Sequence, residues 1–273
     1  MIGARVGAKV GGRVGGALGI GSDPIARSGY TITWPVDGPA PGFGVPADAG
    51  DWSDVVAAAG FTGSPVSGWL MQAVGASPDA IGANNLTAFS TPAFQQAFAA
   101  GWTGLCVHFN STADSTYNLS VVNTGTTSAL LLAYVQLTGD PGSAQFALNI
   151  GNGTSQADRR IATVTATGFW SATGYTASPQ ASASGVVDPG TDVHPVFVQL
   201  DRAAGVFRVV TDDEVIQPVY TAPSSGTDAY VSFGDGTSVM KVRAGWLWTG
   251  AAAQASVAQL RSLLSVLGWS PAF

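Results

Sequence analysis

From residue 67 to residue 249 the chain is a succession of short apolar runs broken by turn residues, and that spacing decides the fold class. The clear runs are 67–73, 104–109, 118–123, 129–137, 145–150, 161–167, 196–201, 206–211, 215–220, 229–233 and 239–249. Runs of this length between clusters of Gly, Asp, Asn, Ser and Thr read as strands. Strands this closely spaced, with few helical segments between them, favour a β-sandwich over alternating strand–helix units. Helical periodicity is confined to two places. Asp48 or Asp51 is placed to cap a short helix whose Trp52, Val55 and Val56 face inward. Ser256 and Gln259 form a capping pair for a late helix that Gly268 stops, with Val257, Leu260, Leu264 and Leu267 on one face.

Composition supports a β-rich, loop-rich domain. Charged residues are only 10% of the chain against 46% hydrophobic, where about a quarter charged is usual. Glu214 is the only glutamate and lysine occurs only at Lys9 and Lys241. Aspartate suits turns and glutamate suits helices, so this choice also points to strands and turns; a compositional bias of the genome would read the same way. Cys106 is alone, which excludes an intrachain disulfide and a cysteine metal cluster. Within Leu105-Cys106-Val107-His108-Phe109 it reads as a buried strand thiol. No run reaches the roughly 18 apolar residues of a spanning helix. The basic N-terminus lacks a continuous apolar stretch, so a secretory signal is not expected.

Residues 1–27 are expected to form a basic arm apart from a sandwich of residues 28–273, in which 28–60 is a lead-in strand and linker rich in Pro and Gly. The arm repeats every four residues: Gly-Ala-Arg-Val, Gly-Ala-Lys-Val, Gly-Gly-Arg-Val, Gly-Gly-Ala-Leu. A helix would carry a penalty of about 1 kcal/mol per glycine. As an extended ribbon the repeat sorts cleanly, with Arg5, Lys9 and Arg13 on one face and Val6, Val10, Val14 and Leu18 on the other. Through residue 27, Arg5, Lys9, Arg13 and Arg27 stand against Asp23, a net of +3; the whole chain is −6, which leaves −9 for the body. A cationic arm on an acidic body attracts another copy or another subunit of a particle, where its main chain adds to a sheet edge. A solvated tail and a membrane-surface segment are the competing readings. Three spaced cations beside an acidic domain are a weak nucleic-acid footprint, so none is expected to bind.

The second half carries a family resemblance. His194-Pro195-Val196-Phe197-Val198-Gln199-Leu200-Asp201-Arg202, the return of Gly205 through Thr211, the turn Asp212-Asp213, Val231-Ser232-Phe233-Gly234-Asp235 and Val242-Arg243-Ala244-Gly245-Trp246-Leu247-Trp248-Thr249-Gly250 follow in the order of a closing meander. This resembles the last section of concanavalin A-like and laminin-G-like jelly rolls and covers residues 194 to 269. The segments Ile81-Gly82, Leu86-Thr87, Pro92 and Gly101-Trp102 through Phe109 are similar to the start of such domains. The layout of a short Gly/Arg arm before a lectin-like sandwich also resembles surface proteins of phages and phage-like particles. The fold expected is therefore an all-β concanavalin A-like jelly-roll sandwich with a short C-terminal helix and an extended N-terminal arm.

Chemistry is sparse. Glycoside hydrolases of this fold resemble one another through paired glutamates, and a hydrolase needs two carboxyls about 5–10 Å apart. With a single Glu in the turn Asp212-Asp213-Glu214, the expectation is that the chain is not an enzyme. His108 and His194 read as structural, and no cofactor is expected. The resemblance to laminin-G-like domains implies calcium held by loop oxygens, with Asp188, Asp192 and Asp235 as candidates that also read as ordinary turn residues. Trp246 and Trp248, two apart on one face, read as core. Phe169-Trp170 and Tyr175 fall in a Gly/Ser/Thr-rich stretch read as loops, where Trp170 and Tyr175 are candidates for stacking on a sugar or a partner. The function expected is that of a structural surface protein of a virion or extracellular particle, made in the cytoplasm and docked through its arm. The alternative is a soluble carbohydrate-binding module for cell-surface glycans.

Overall fold

The computed structural model describes residues 25–27, 30–32, 34–39, 42–71, 76–88, 94–110, 117–119, 128–139, 145–151, 160–174, 181–220, 230–234 and 239–273. Two small hairpins lead in, β1 (Ile25–Arg27) with β2 (Tyr30–Ile32) and β3 (Val36–Asp37) with β4 (Phe43–Gly44), followed by helix α1 (Ala49–Ala59). The body then runs through β5 (Ser67–Leu70), β6 (Ala76–Ser77), β7 (Leu86–Ala88), β8 (Phe94–Ala97), β9 (Leu105–Asn110) and β10 (Tyr117–Leu119). Next come β11 (Ser128–Leu137), β12 (Gln145–Gly151), β13 (Arg160–Val164), β14 (Trp170–Gly174) and β15 (Ala181–Ser184). The closing part is β16 (Val193–Asp201), β17 (Val206–Val210), β18 (Val215–Ile216), β19 (Tyr230–Phe233), β20 (Val239–Thr249) and helix α2 (Val257–Val266).

These strands make two antiparallel sheets. The first has the order β18-β17-β16-β11-β20-β9-β8, with β5 also paired to β20; the second has the order β15-β14-β13-β12-β19-β10-β7-β6. The non-sequential order, with β11 lying between β16 and β20, is the mark of a jelly-roll sandwich. Both helices and the β3–β4 hairpin lie on the far face of the first sheet, so that sheet is buried on both sides.

Strand alternation builds two cores from the same strands. On β11, Ala129, Leu131, Ala133, Val135 and Leu137 join the core between the sheets, while Leu130, Leu132 and Tyr134 join the core beneath the helices. On β20, Met240, Val242 and Leu247 point to the first core, and Ala244, Trp246 and Trp248 to the second. A register shift between Tyr134 and Val135 accommodates the change of phase along β20. Trp246 and Trp248 are core residues as expected: the fully buried Trp52 of α1 meets their rings edge-on at 5.2 Å and 5.0 Å.

Capping fixes the helices. Asp48 accepts the Asp51 amide and Asp51 accepts the Ala47 amide in return, while Gly60 ends α1 in the left-handed region at φ 62°. Ser256 and Gln259 form the capping box foreseen for α2, which buries Leu260, Leu263, Leu264 and Val266. Gln199, buried on β16, ties the approach to α2 onto the sheet. Its amide donates to the Ala253 and Ala255 carbonyls, and its oxygen accepts from Arg208 Nε. Among the described residues no helix is long and apolar enough to cross a membrane.

The stretch read as loops is corrected. Trp170 opens strand β14, which pairs with β13 on one side and β15 on the other, and its side chain is 2% exposed in the core between the sheets. The ladder outweighs the weak strand propensity of Ser-Ala-Thr-Gly and Ala-Ser-Ala-Ser, because pairing and burial dominate intrinsic preference in sheets.

Candidate functional site

A cleft of about 410 Å³ opens where the helix layer ends and β11 runs on past Tyr134. Its walls come from Pro39 and Phe43 of the lead-in hairpin, Ala99, Ala100 and Trp102 before β9, Gln136 of β11, Thr191, Asp192 and Val193 at the start of β16, and Trp269 after α2. Phe43 is stacked between two indoles, 5.5 Å from Trp102 at 12° and 4.1 Å from Trp269 at 19°. Tyr134 supports them edge-on from below, and its hydroxyl donates to the Gly44 carbonyl at 2.7 Å. Burial pushes that phenol far above its ordinary pKa, so it stays a neutral donor.

The aromatic wall is held by a buried polar knot. Asp37 accepts hydrogen bonds from the amides of Gly38 (2.9 Å), Thr103 (2.5 Å) and Gly104 (2.9 Å), from the Thr103 hydroxyl (3.0 Å) and from Arg243 Nε (3.1 Å). Burial raises its pKa, but the Thr103 amide and the Arg243 charge outweigh this and hold the carboxyl below its usual range. The knot fastens β3 to residues 103–104 and so fixes Trp102 beside Phe43. Gly38 has φ 96°, and a Cβ there would lie 2.8 Å from the Trp102 ring and 2.9 Å from Phe43. Only glycine fits both demands.

The polar side of the cleft is amide and carboxylate. Gln136 Nε2 donates to the Thr191 carbonyl at 2.9 Å, while its buried Oε1 has no protein partner. Asp192 is exposed on the rim. Among the described residues no Lys or Arg lines the cleft.

Next to this rim, His194 is 6% exposed; its Nδ1 lies 2.8 Å from Asp212 Oδ1 and 3.5 Å from Asp213 Oδ2, and its Nε2 lies 3.0 Å from the Pro189 carbonyl. Burial disfavours the charged ring, but the Asp212 hydrogen bond and charge more than offset this and raise its pKa. Asp213 is raised too, first by burial and then by Asp212. His108 stands apart on β9, paired in register with Lys241; burial first, then the Lys241 charge, lowers its pKa.

The residues singled out from sequence distribute as follows. Asp188 Oδ1 accepts the Gly190 amide at 2.8 Å in a turn, and Asp192 lines the cleft. Asp235, Tyr175 and the arm residues Arg5, Val6, Lys9, Val10, Arg13, Val14 and Leu18 lie outside the described residues. Trp170 is in the core and offers no stacking face. Phe43, Trp102, Gln136 and Trp269 were not foreseen as a group. The local signals were Phe43 between two glycines and Trp102 after Gly101, aromatics in turns where core packing is not the default.

Comparison with known proteins places the architecture. No protein-family model matches the chain, and no curated protein matches it in sequence. Among solved structures, it is similar to Trypanosoma rangeli sialidase in complex with the inhibitor DANA: TM-score 0.57, 13% identity, 76% of this chain and 33% of the sialidase covered. It is also similar to botulinum neurotoxin type C, whose entry into cells depends on interaction with two ganglioside molecules: TM-score 0.54, 11% identity, 74% of this chain and 51% of that one. A third is the binding domain of botulinum neurotoxin DC in complex with rat synaptotagmin II: TM-score 0.53, 9% identity, 74% and 51%. The chain is an all-β sandwich. It spans about a third of the sialidases' length and about half that of the toxin chains.

The expectation that the chain is not an enzyme is corrected by these neighbours, since sialidases are enzymes with a β-rich fold of this kind. The physical reason is that glycoside hydrolysis does not always need a carboxylate pair, a tyrosine serving as nucleophile in sialidases. A single glutamate therefore excludes less than it suggested.

Proposed function

We propose that this chain is a carbohydrate-binding domain that takes an uncharged sugar unit in the cleft beside Phe43, Trp102 and Trp269. The observation that carries this is a cleft in which half-buried Phe43, stacked between the buried Trp102 and Trp269, stands opposite the exposed carboxylate of Asp192. A pyranose has one apolar C–H face and a rim of hydroxyls. It matches a site with ring carbon on one side and a hydrogen-bond acceptor, the exposed Asp192 carboxylate, on the other. The volume lies at the small end of the roughly 300–1,000 Å³ range of ligand pockets, which suits one or two sugar units. The described lining holds no Lys or Arg and carries Asp192 on the rim, which disfavours anionic sugars. The fold it shares with ganglioside- and sialidase-type proteins supports sugar binding in general and says nothing of which sugar.

A glycan array followed by calorimetry on the best ligand tests this. Asp192→Ala, at an exposed position, should leave the melting temperature unchanged and weaken binding by at least about tenfold, the roughly 1.5–3 kcal/mol of a charge-assisted hydrogen bond. An array without a binder, or a ligand whose affinity ignores Asp192→Ala, would sink the proposal.

A second reading rests on the opposition of a +3 arm and a −9 body. In it the arm docks on a neighbouring subunit, and the sandwich is a surface component of a virion or extracellular particle. Electron microscopy and light scattering on the full-length chain and on a chain lacking residues 2–20 decide it. Particles or filaments that vanish with the deletion support it; two identical monomers refute it, and sugar binding should survive the deletion.

A further inference from the structure

Outside the cleft, three metal-ligating side chains converge from the start of a strand and from a turn. His194 sits one residue into β16, and Asp212 and Asp213 form the β17–β18 turn, which Thr211 fixes by accepting the Asp213 and Glu214 amides. Their donor atoms lie within 4.8 Å of one another.

The imidazole is oriented from outside the pair of acids. The Pro189 carbonyl has no hydrogen to give, so Nε2 must carry the proton and donate to it at 3.0 Å. Nδ1 is thereby left facing two carboxylate oxygens. A bare lone pair opposite two anions is repulsive, so a positive species must lie between them: a proton on Nδ1, or a metal ion. A backbone carbonyl behind the distal N–H is the arrangement that presents a neutral imidazole to a metal.

Charge decides between the two occupants. Asp192 is close enough to act on Asp213, and among the described residues neither Asp212 nor Asp213 has a Lys or Arg partner. One proton would leave two of three carboxylate charges uncompensated, whereas a dication leaves one. We propose that His194, Asp212 and Asp213 bind a divalent transition cation, with Zn²⁺ the best fit.

Donor chemistry and distance agree. One imidazole nitrogen with carboxylate oxygens suits Zn²⁺ or Mn²⁺, whereas Ca²⁺ takes about 6–8 oxygens and has no use for the ring. Tetrahedral zinc with ligands at about 2.0–2.2 Å sets neighbouring donors about 3.4 Å apart. The His194–Asp213 separation of 3.5 Å already meets this, and Asp212, at 2.8 Å, needs only to swing outward by a fraction of an ångström. Asp212 and Asp213 are partly exposed, which gives the ion a route in and water a coordination position.

Full-length protein stripped with chelator and titrated with ZnCl₂ in a calorimeter, with CaCl₂ in parallel, tests the site. One equivalent of Zn²⁺ should bind and Ca²⁺ should not. Asp213→Asn should weaken Zn²⁺ by at least the roughly 10–100-fold that loss of even an outer-shell partner costs. His194→Gln should abolish it and His108→Gln should leave it unchanged. Zn²⁺ should also raise the melting temperature of the wild type but not of Asp213→Asn, which lies on an exposed turn and keeps the test valid if His194→Gln folds poorly. A wild type without saturable Zn²⁺ heat at millimolar ion, or Asp213→Asn binding like the wild type, overturns the proposal and leaves His194 an imidazolium.

Discussion

Replacing Asp37 by asparagine keeps the side chain's shape, removes its charge and turns one acceptor into a donor, so it tests the buried knot that Asp37 and Arg243 form. Asp37 and Arg243 are 7% and 6% exposed. In the variant an NH₂ group faces the Gly104 amide or the Arg243 guanidinium, setting donor against donor at sites now 2.9 Å and 3.1 Å apart. Among the described residues Asp37 is the one carboxylate paired with Arg243, whose Nη1 already lacks a partner. Removing one member of a buried pair costs about 3–5 kcal/mol. At about 2–4 °C per kcal/mol for a chain of this size, the melting temperature should fall by roughly 6–20 °C. Urea unfolding followed by tryptophan fluorescence measures the loss directly, and the slope of the transition should be unchanged. The double variant Asp37→Asn with Arg243→Met should recover most of it, because an apolar replacement removes the stranded charge. The pH dependence has a definite sign. The folded carboxyl is held below its ordinary value, so its stabilisation is complete above the unfolded pKa of about 4 and is lost as pH falls through the folded value. The gap between wild type and Asp37→Asn should therefore narrow in acid. A loss under about 1 kcal/mol at neutral pH, within the range of an exposed pair, would refute the account of Arg243 as a desolvated charge.

Other substitutions probe separate parts of the architecture. Burial pushes the Cys106 thiol up to about 11, so a thiol reagent at neutral pH should label the native protein negligibly and the urea-unfolded protein with one equivalent. Ser256→Ala breaks the capping box of α2 and should cost about 0.5–2 kcal/mol in urea unfolding. Gly245→Ala sets a methyl 2.6 Å from the Phe233 ring, across the sandwich. It should cost about 1–3 kcal/mol by forcing the sheets apart, seen as a lower melting temperature.

Where local and global preferences agree, the elements were legible. β20 reads at its full length from the run between Gly236 and Gly250, because its apolar residues, interrupted only by Lys241, Arg243 and Gly245, continue without a turn signal cluster through Trp248. Helix α2 announces itself through Ser256 and Gln259. The 215–220 run shrinks to Val215–Ile216, paired with Val210 and Val209, and Pro218 just beyond has no amide to donate to the ladder. Apart from Trp170, strands β14 and β15 are made of Ser, Ala, Thr and Gly, which carry turn signals locally and become strands only through the edge of β13. The cleft was the least legible part. Its walls come from residues near 40, 100, 136, 192 and 269, which no local pattern links. Only the resemblance in residues 194–269 hinted at the frame that brings them together.

The central position of β11 has a consequence for how the chain reaches this fold. Its neighbours in the sheet are β16 and β20, and roughly a hundred residues of chain separate β11 from β20, which makes the topology one of high contact order and slow folding. At a synthesis rate of about 5–20 residues per second, Ala129–Leu137 spends roughly 5–20 seconds outside the ribosome before its second flank exists. Ser128–Leu137 holds no charged residue and no proline, so during that interval it is a sticky β-prone segment seeking any partner edge. Yield on expression should therefore depend more on temperature and chaperone supply than on the stability of the finished sandwich.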